Sequence, residues 1–255
     1  MASRLANKNA IITGGGSGMG LEMARLFGRE GARVSILDRD GALTKKAEAE
    51  LHKEGMDAAA FCVDVSDAGA VAVAFTQATA LYAGIVHILV NNAGIAEFGS
   101  IEDTTLDSWE WVMAVNVTGT FLCSQAVLPQ MKQHGGAILN LASAAGLVGI
   151  PKMAAYCAAK AAIIGLTRQM AADYTALGVR VNCLCPGFVA STGMGRQVLG
   201  SDTTPEIQAK RLAKYPIGRF SRPEEIAQAA LFLASDEASF VSGAIFCVDG
   251  GMTAI

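Results

Sequence analysis

The stretch Asn9-Ala10-Ile11-Ile12-Thr13-Gly14-Gly15-Gly16-Ser17-Gly18-Met19-Gly20 decides the fold. Its first five residues read as a strand, and the pattern from 19 to 29 reads as a helix. Between them, glycines occupy the place where the backbone must turn sharply beside a helix N-terminus. Backbone N–H groups and the positive end of the helix dipole stabilise a pyrophosphate there, and a Cβ at the tightest positions would block its approach. A glycine-rich turn alone can be merely structural, so its meaning is set by the pattern of the rest of the chain.

Outward from that turn, short β-rich runs alternate with helical stretches to the end of the chain. Strands are expected at 9–13, 33–37, 59–63, 87–91, 137–142, 179–185 and 244–248. Helices are expected near 19–29, 40–54, 67–83, 105–132, 153–177 and 223–234. This alternation predicts βαβ units and one α/β, doubly wound parallel sheet of about seven strands. Ser66-Asp67 and Arg222-Pro223-Glu224-Glu225 supply helix starts, with a cap or an early Pro and then acids. With no internal linker, the expectation is a single domain over 1–255. The aperiodic stretch from 186 to about 222 reads as a long loop, with a substrate-binding lid at 188–221.

Composition agrees. Of 255 residues, 52% are hydrophobic and 17% charged, which suits strands covered by helices on both faces. The net charge of -3, with scattered Lys and Arg, offers nothing to nucleic acid or an anionic membrane, so the expected partners are small molecules. No apolar run is expected to cross a bilayer, since His87, Asn91 and Lys160 interrupt the longest candidates, and the first residues do not read as a signal peptide. The expected location is the cytoplasm. The six cysteines lie mostly in apolar segments and read as reduced. Cys183 and Cys185 share one face of a strand without a partnering ligand cluster, so no metal is expected.

The ends of successive strands carry the nucleotide chemistry. Asp38 follows the second strand, 18 residues beyond Gly20, where a carboxylate can accept both ribose hydroxyls of NAD. Asp64 and Val65 end the third strand, where they could meet the adenine edge. Asn91-Asn92-Ala93-Gly94 ends the fourth in a small polar turn. A 2'-phosphate at Asp38 would meet a like charge: two unit charges about 4 Å apart at an effective dielectric near 20 repel by roughly 4 kcal/mol. Arg39 is the opposing feature, but the 14–20 turn holds no second basic residue. The expected cofactor is therefore NAD.

Tyr156 and Lys160 stand four residues apart in the 153–177 helix, on one face a turn apart, and Ser143 follows the preceding strand. A nearby ammonium favours the phenolate, so the expectation is a phenol drawn below its ordinary value near 10. Ser143 can then hydrogen-bond the substrate oxygen while Tyr156 gives or takes its proton and the carbon exchanges hydride.

The turn at 13–20, Asn91-Asn92-Ala93-Gly94, Asn116, Ser143, Tyr156-Cys157-Ala158-Ala159-Lys160, Pro186-Gly187 and the terminal Val248-Asp249-Gly250-Gly251 together resemble the short-chain dehydrogenase/reductase family, in its order and spacing. The resemblance covers essentially the whole chain. It implies a Rossmann-type fold with Asn116, Ser143, Tyr156 and Lys160 as the catalytic group, Lys160 also holding the nicotinamide ribose and Asn116 supporting a proton-relaying water. It further implies cofactor contacts from Gly14, Ser17, Gly18, Met19, Gly20, Asn92, Ala93 and Gly94, with Pro186, Gly187 and Val189 beside the nicotinamide carboxamide. Where family members often carry Thr five residues after the Pro, this chain has Ser191 and then Thr192; Ser191 is favoured for the carboxamide.

Substrate contacts are expected from Ser143, Ala145, Ile150, Met153, Phe188 and Met194, mostly apolar, and from Glu97, which either accepts hydroxyls of a diol, polyol or sugar-like alcohol or is a solvated loop carboxylate. The helices at 105–132 and 153–177 carry small apolar residues around more than one face, Ala158, Ala159, Ala161, Ala162 and Ile163 among them, which a partner would cover. A homotetramer is what the resemblance implies. The leading expectation is an NAD-dependent alcohol dehydrogenase or carbonyl reductase. Its rivals are an NADPH-dependent 3-oxoacyl reductase, discriminated by the charge around Asp38, and a catalytically idle dinucleotide-binding regulator, which would be expected to have lost Tyr156 or Lys160.

Overall fold

A computed structural model describes residues 3–200 and 204–255. The seven strands β1 (Asn9–Thr13), β2 (Arg33–Asp38), β3 (Ala58–Cys62), β4 (Ile88–Asn91), β5 (Gly136–Leu141), β6 (Val179–Pro186) and β7 (Ile245–Val248) lie within one residue of their expected bounds at either end. They form one sheet in the order β3-β2-β1-β4-β5-β6-β7, with every neighbouring pair parallel. All five residues of β1 and all four of β4 are buried, as central strands covered on both faces require. In register, Ile11 stands between Ser35 and Leu89. The order reverses between β1 and β4, and an open parallel sheet leaves a crevice at the carboxyl ends of such a pair.

Two apolar layers fix the helices to the sheet. On one face α1 (Gly18–Arg29) and α9 (Pro223–Ala234) bury Met23, Phe27, Ile226 and Leu231 against Ile12, Ile36 and Val90. On the other, α3 (Ala68–Ala80), α5 (Gly119–His134) and α6 (Ala154–Tyr174) bury Phe75, Val127, Met131 and Met170 against Ile11, Leu89 and Ile138. The start of α3 is the expected one, Asp67 accepting a 3.0 Å bond from the Ala70 amide. At the start of α9, Pro223 opens the helix and Glu225 accepts from the Arg222 amide at 2.9 Å. The remaining early helix is α2 (Gly41–Lys53), capped by Asp40.

Two expectations need correction. The segment from 186 to 222 is not one aperiodic loop: α7 (Gly193–Leu199) is capped by Thr192, and α8 (Pro205–Leu212) by Thr204. Helices this short bury too little for an apolar period to show in the sequence. The helix expected at 105–132 is α4 (Leu106–Met113) running through a π-helical turn, Ala114–Thr118, into α5. Together these form a helix, Leu106–His134, long and apolar enough to cross a membrane by length and composition, contrary to the reading of the sequence. Val112, Cys123, Val127 and Met131 on it are buried in the core, while Leu106, Trp111 and Phe121 stay exposed, so core packing accounts for part of the apolar composition.

Candidate active site

Two adjoining cavities open at the carboxyl end of the sheet. One of about 280 Å³ runs from the glycine turn to α6, lined by Gly14, Ser17, Gly18, Met19, Asp38, Asp64, Val65, Asn92, Ala93, Gly94, Tyr156 and Lys160. The other, about 260 Å³, is lined by Ser143, Ala145, Ile150, Met153, Tyr156, Pro186, Gly187, Phe188, Val189 and Met194. Met19, Ala142, Tyr156, Thr192 and Met194 lie on both walls, so Tyr156 stands where the chambers meet.

The turn is built for a close neighbour. Gly14 and Gly18 have φ of +64° and +56°, the left-handed region that suits glycine. A Cβ on Gly20 would lie 2.1 Å from the Gly14 carbonyl oxygen, so only glycine lets α1 start this tight against the turn. Asn92 braces it: its side-chain amide donates to the Thr13 and Gly14 carbonyls at 2.9 and 3.1 Å. Asp38 is anchored beside it, accepting from the Gly16 amide at 3.1 Å and the Asp40 amide at 3.2 Å. Asp64 is held below the usual carboxylate range, chiefly by hydrogen bonds from Ser66.

The chemical end is buried. Lys160 is 3% exposed and its ammonium donates to the Leu141 carbonyl at 2.8 Å. Burial pushes it down from 10.5 to about 8. Burial pushes the Tyr156 phenol up to about 12, with a smaller opposing effect from the Ser143 hydrogen bond. This reverses the expected direction: desolvation of a phenolate inside the protein outweighs the pull of an ammonium whose Nζ lies 5.6 Å from the Tyr156 ring centroid. Ser143 is fixed by accepting from the Ala145 amide at 3.1 Å.

Asn116 sits in the π-helical turn, fully buried, its side-chain amide donating to the Ile95 and Val112 carbonyls at 3.0 and 2.8 Å. Its Oδ1 has no partner among the described residues. A Cβ on Gly94 would lie 2.7 Å from that oxygen and 3.3 Å from Lys160 Nζ, so both groups face the same small space. An orphaned buried acceptor beside a buried ammonium is a place for a water or a ligand hydroxyl.

The structure thus brings together the expected catalytic residues and most of the expected nucleotide contacts. Gly20 lies behind the turn as a packing residue. Ser191 and Glu97 are not among the described residues lining either cavity; Ser191 is exposed, and Thr192 takes the wall position. Cys183 and Cys185 are buried with Ile163 and Ile164. Arg211, Lys214, Tyr215 and Phe220 line the second cavity without having been expected there. The signal was available as two cations three residues apart, but not which way they face. Phe220 stacks edge-on to Phe188 and Tyr215 at 4.9 and 5.7 Å between centroids, tying this segment to the end of β6.

Fold and site define a dinucleotide-dependent oxidoreductase of the doubly wound type. A sequence profile described as enoyl-(acyl carrier protein) reductase matches residues 14–253. The chain is 57% identical, over 100% of both chains, to 2-(S)-hydroxypropyl-CoM dehydrogenase 3 of Xanthobacter autotrophicus. It is 45% identical to galactitol 2-dehydrogenase (L-tagatose-forming) of Cereibacter sphaeroides, over 98% of this chain and 96% of that one. A solved structure of a short-chain dehydrogenase/reductase from Burkholderia xenovorans superposes with a TM-score of 0.93 at 36% identity, covering 99% of this chain and 98% of that one. The chain belongs to the short-chain dehydrogenase/reductase family. It exchanges hydride between a nicotinamide dinucleotide and a secondary alcohol or ketone, with tyrosine acid–base catalysis.

Proposed function

We propose that the protein is an NAD-dependent dehydrogenase of a secondary alcohol with an anionic tail. The observation that carries this reading is the pair Arg211 and Lys214 on the wall of an otherwise largely apolar cavity that ends at Tyr156. Two cations facing apolar surface suit a substrate with a reactive carbinol at one end and a negative charge at the other. The relative named for 2-(S)-hydroxypropyl-CoM acts on such a molecule, coenzyme M being a sulfonate. NAD rather than NADP is supported by Asp38, whose carboxylate lines the nucleotide cavity. The glycine cradle and the unpartnered Asn116 Oδ1 fit a dinucleotide. Gly14, Ser17, Gly18 and Met19 would hold the pyrophosphate, Asp38 the adenosine ribose, Asp64 and Val65 the adenine, Asn92, Ala93, Gly94 and Lys160 the nicotinamide ribose. Pro186, Gly187, Val189 and Thr192 rather than Ser191 would hold the carboxamide.

The bound nicotinamide supplies the hydride acceptor or donor. Ser143 Oγ hydrogen-bonds the substrate oxygen, and Tyr156 Oη takes its proton in oxidation or returns it in reduction. The Lys160 ammonium makes the tyrosinate that oxidation requires less costly than burial alone would, without overcoming the upward shift, and Asn116 Oδ1 with Lys160 Nζ frames the exit for that proton. The whole chain acts as a single catalytic domain in a cytoplasmic homotetramer, with a substrate lid formed by 188–200 and 204–221; residues 201–203 of the expected lid lie outside the described residues. NAD-linked oxidation of 2-hydroxypropyl-coenzyme M should far exceed that of 2-butanol, and Arg211→Ala with Lys214→Ala should raise KM for the sulfonate at least about 10-fold while sparing 2-butanol. Equal effects on both alcohols would refute the anionic tail.

A further inference from the structure

Arg39 leaves the carboxyl end of β2 directly after Asp38 and lines the nucleotide cavity. Its guanidinium joins no ion pair within 4 Å among the described residues, although its charge acts at longer range on Asp64 across the cavity; its carbon lies 5.8 Å from the centroid of the Trp111 ring on α4. Trp111 is 41% exposed in the single chain and contributes no wall to the cavity, and its ring presents a face to the Arg39 cation. Asp38 is spoken for separately by the Gly16 and Asp40 amides. Two adjacent, oppositely charged side chains therefore diverge, the acid fixed beside the glycine turn and the base drawn toward a different element.

We propose that Trp111 is a specificity-determining positioning residue: it holds Arg39 across the adenosine end of the cleft, away from the ribose 2' position, and leaves Asp38 to face the ribose alone. The inference rests on the reading of this cavity as an NAD site. Arg39 is the group that could pair with a 2'-phosphate, and its attraction to an exposed aromatic face corresponds to roughly 2- to 5-fold in its distribution between the two positions. Releasing it matters only when Asp38 no longer repels the phosphate.

The test is calorimetric titration of NADH and NADPH into the full chain, in the Asp38→Ser background, alone and with Trp111→Leu, Arg39→Ala or both. Trp111→Leu should move the ratio of NADPH to NADH affinity toward NADPH by roughly 2- to 5-fold, and Trp111→Phe, which keeps a weaker face, by less. Neither should move it once Arg39 is Ala. An unchanged ratio in Trp111→Leu would overturn the proposal, as would an equal shift without Arg39, which would mean that Trp111 merely narrows the cleft. A parent protein that binds NADPH more tightly than NADH would overturn the NAD reading itself, and that result is read before any Trp111 variant is made.

Discussion

Replacing Lys160 by Met should make the protein more stable and nearly inactive. Lys160 is buried, and lowering its ammonium from 10.5 to about 8 corresponds to roughly 3 kcal/mol of penalty on the charged form, at about 1.4 kcal/mol per tenfold. Met keeps the length of the side chain and removes the charge, but it strands the Leu141 carbonyl that accepts from Nζ, at a cost of about 1–2 kcal/mol. The net gain near neutral pH is about 1–2 kcal/mol, or roughly 2–8 °C in Tm for a chain of this size. The sign with pH is fixed by the direction of the shift. Between about 8 and 10.5 the unfolded chain holds a proton that the folded protein has released, so the parent gains stability as pH rises through that window. The variant has no such group, and its advantage should shrink by roughly 2 kcal/mol between pH ~7 and ~9.5. Thermal unfolding of both proteins without cofactor, followed by circular dichroism at the two pH values, measures it. A variant no more stable than the parent at neutral pH, with a difference that ignores pH, would refute the view that this charge is held in place against its own desolvation.

Tyr156→Phe should remove at least about 1,000-fold of turnover while NADH binding stays within a few-fold, because only the proton-carrying oxygen is lost; steady-state rates and calorimetry check the two halves separately. Gly20→Ala places a methyl 2.1 Å from the Gly14 carbonyl oxygen, so NADH affinity should fall at least about 100-fold and the melting temperature should drop, with near-parent binding refuting the cradle. Asp38→Ser should lower kcat/KM for NAD and raise it for NADP, by at least about 10-fold in the ratio, measured with both cofactors on both proteins. Glu97→Gln should leave kcat/KM within about twofold for polyols and simple ketones alike, since Glu97 does not line the substrate cavity, and a selective loss on polyols would put it back there.

The parts legible in the sequence were those whose physics is local. The bounds of β1 and β2, the turn between Thr13 and Gly20, Asp38 at a strand end and the one-turn spacing of Tyr156 and Lys160 all come from periodicity, backbone sterics or chain geometry. What failed to show was set by long-range packing. The direction of the Tyr156 shift depends on how much water the fold removes, and charge spacing says nothing of that. Arg211 and Lys214 reach the cavity because the Phe188–Phe220–Tyr215 contacts fold their segment back over β6. Trp111 meets Arg39 across 72 residues of sequence, and the π-helical turn at Asn116 leaves no mark on an apolar period.

Lys160 is tied to the last residue of β5, and Ser143 comes two residues later on the same chain, so Ser143, Tyr156 and Lys160 are held by the end of one strand and one helix, with Asn116 facing them from the π-helical turn. The residues proposed to meet the far end of the substrate, Arg211 and Lys214, come from another part of the chain, α8 and the turn that follows it. This separation makes the molecule modular in an evolutionary sense. Exchanges in the segment that carries α7 and α8 would redraw which alcohol is admitted without disturbing the residues that handle the proton.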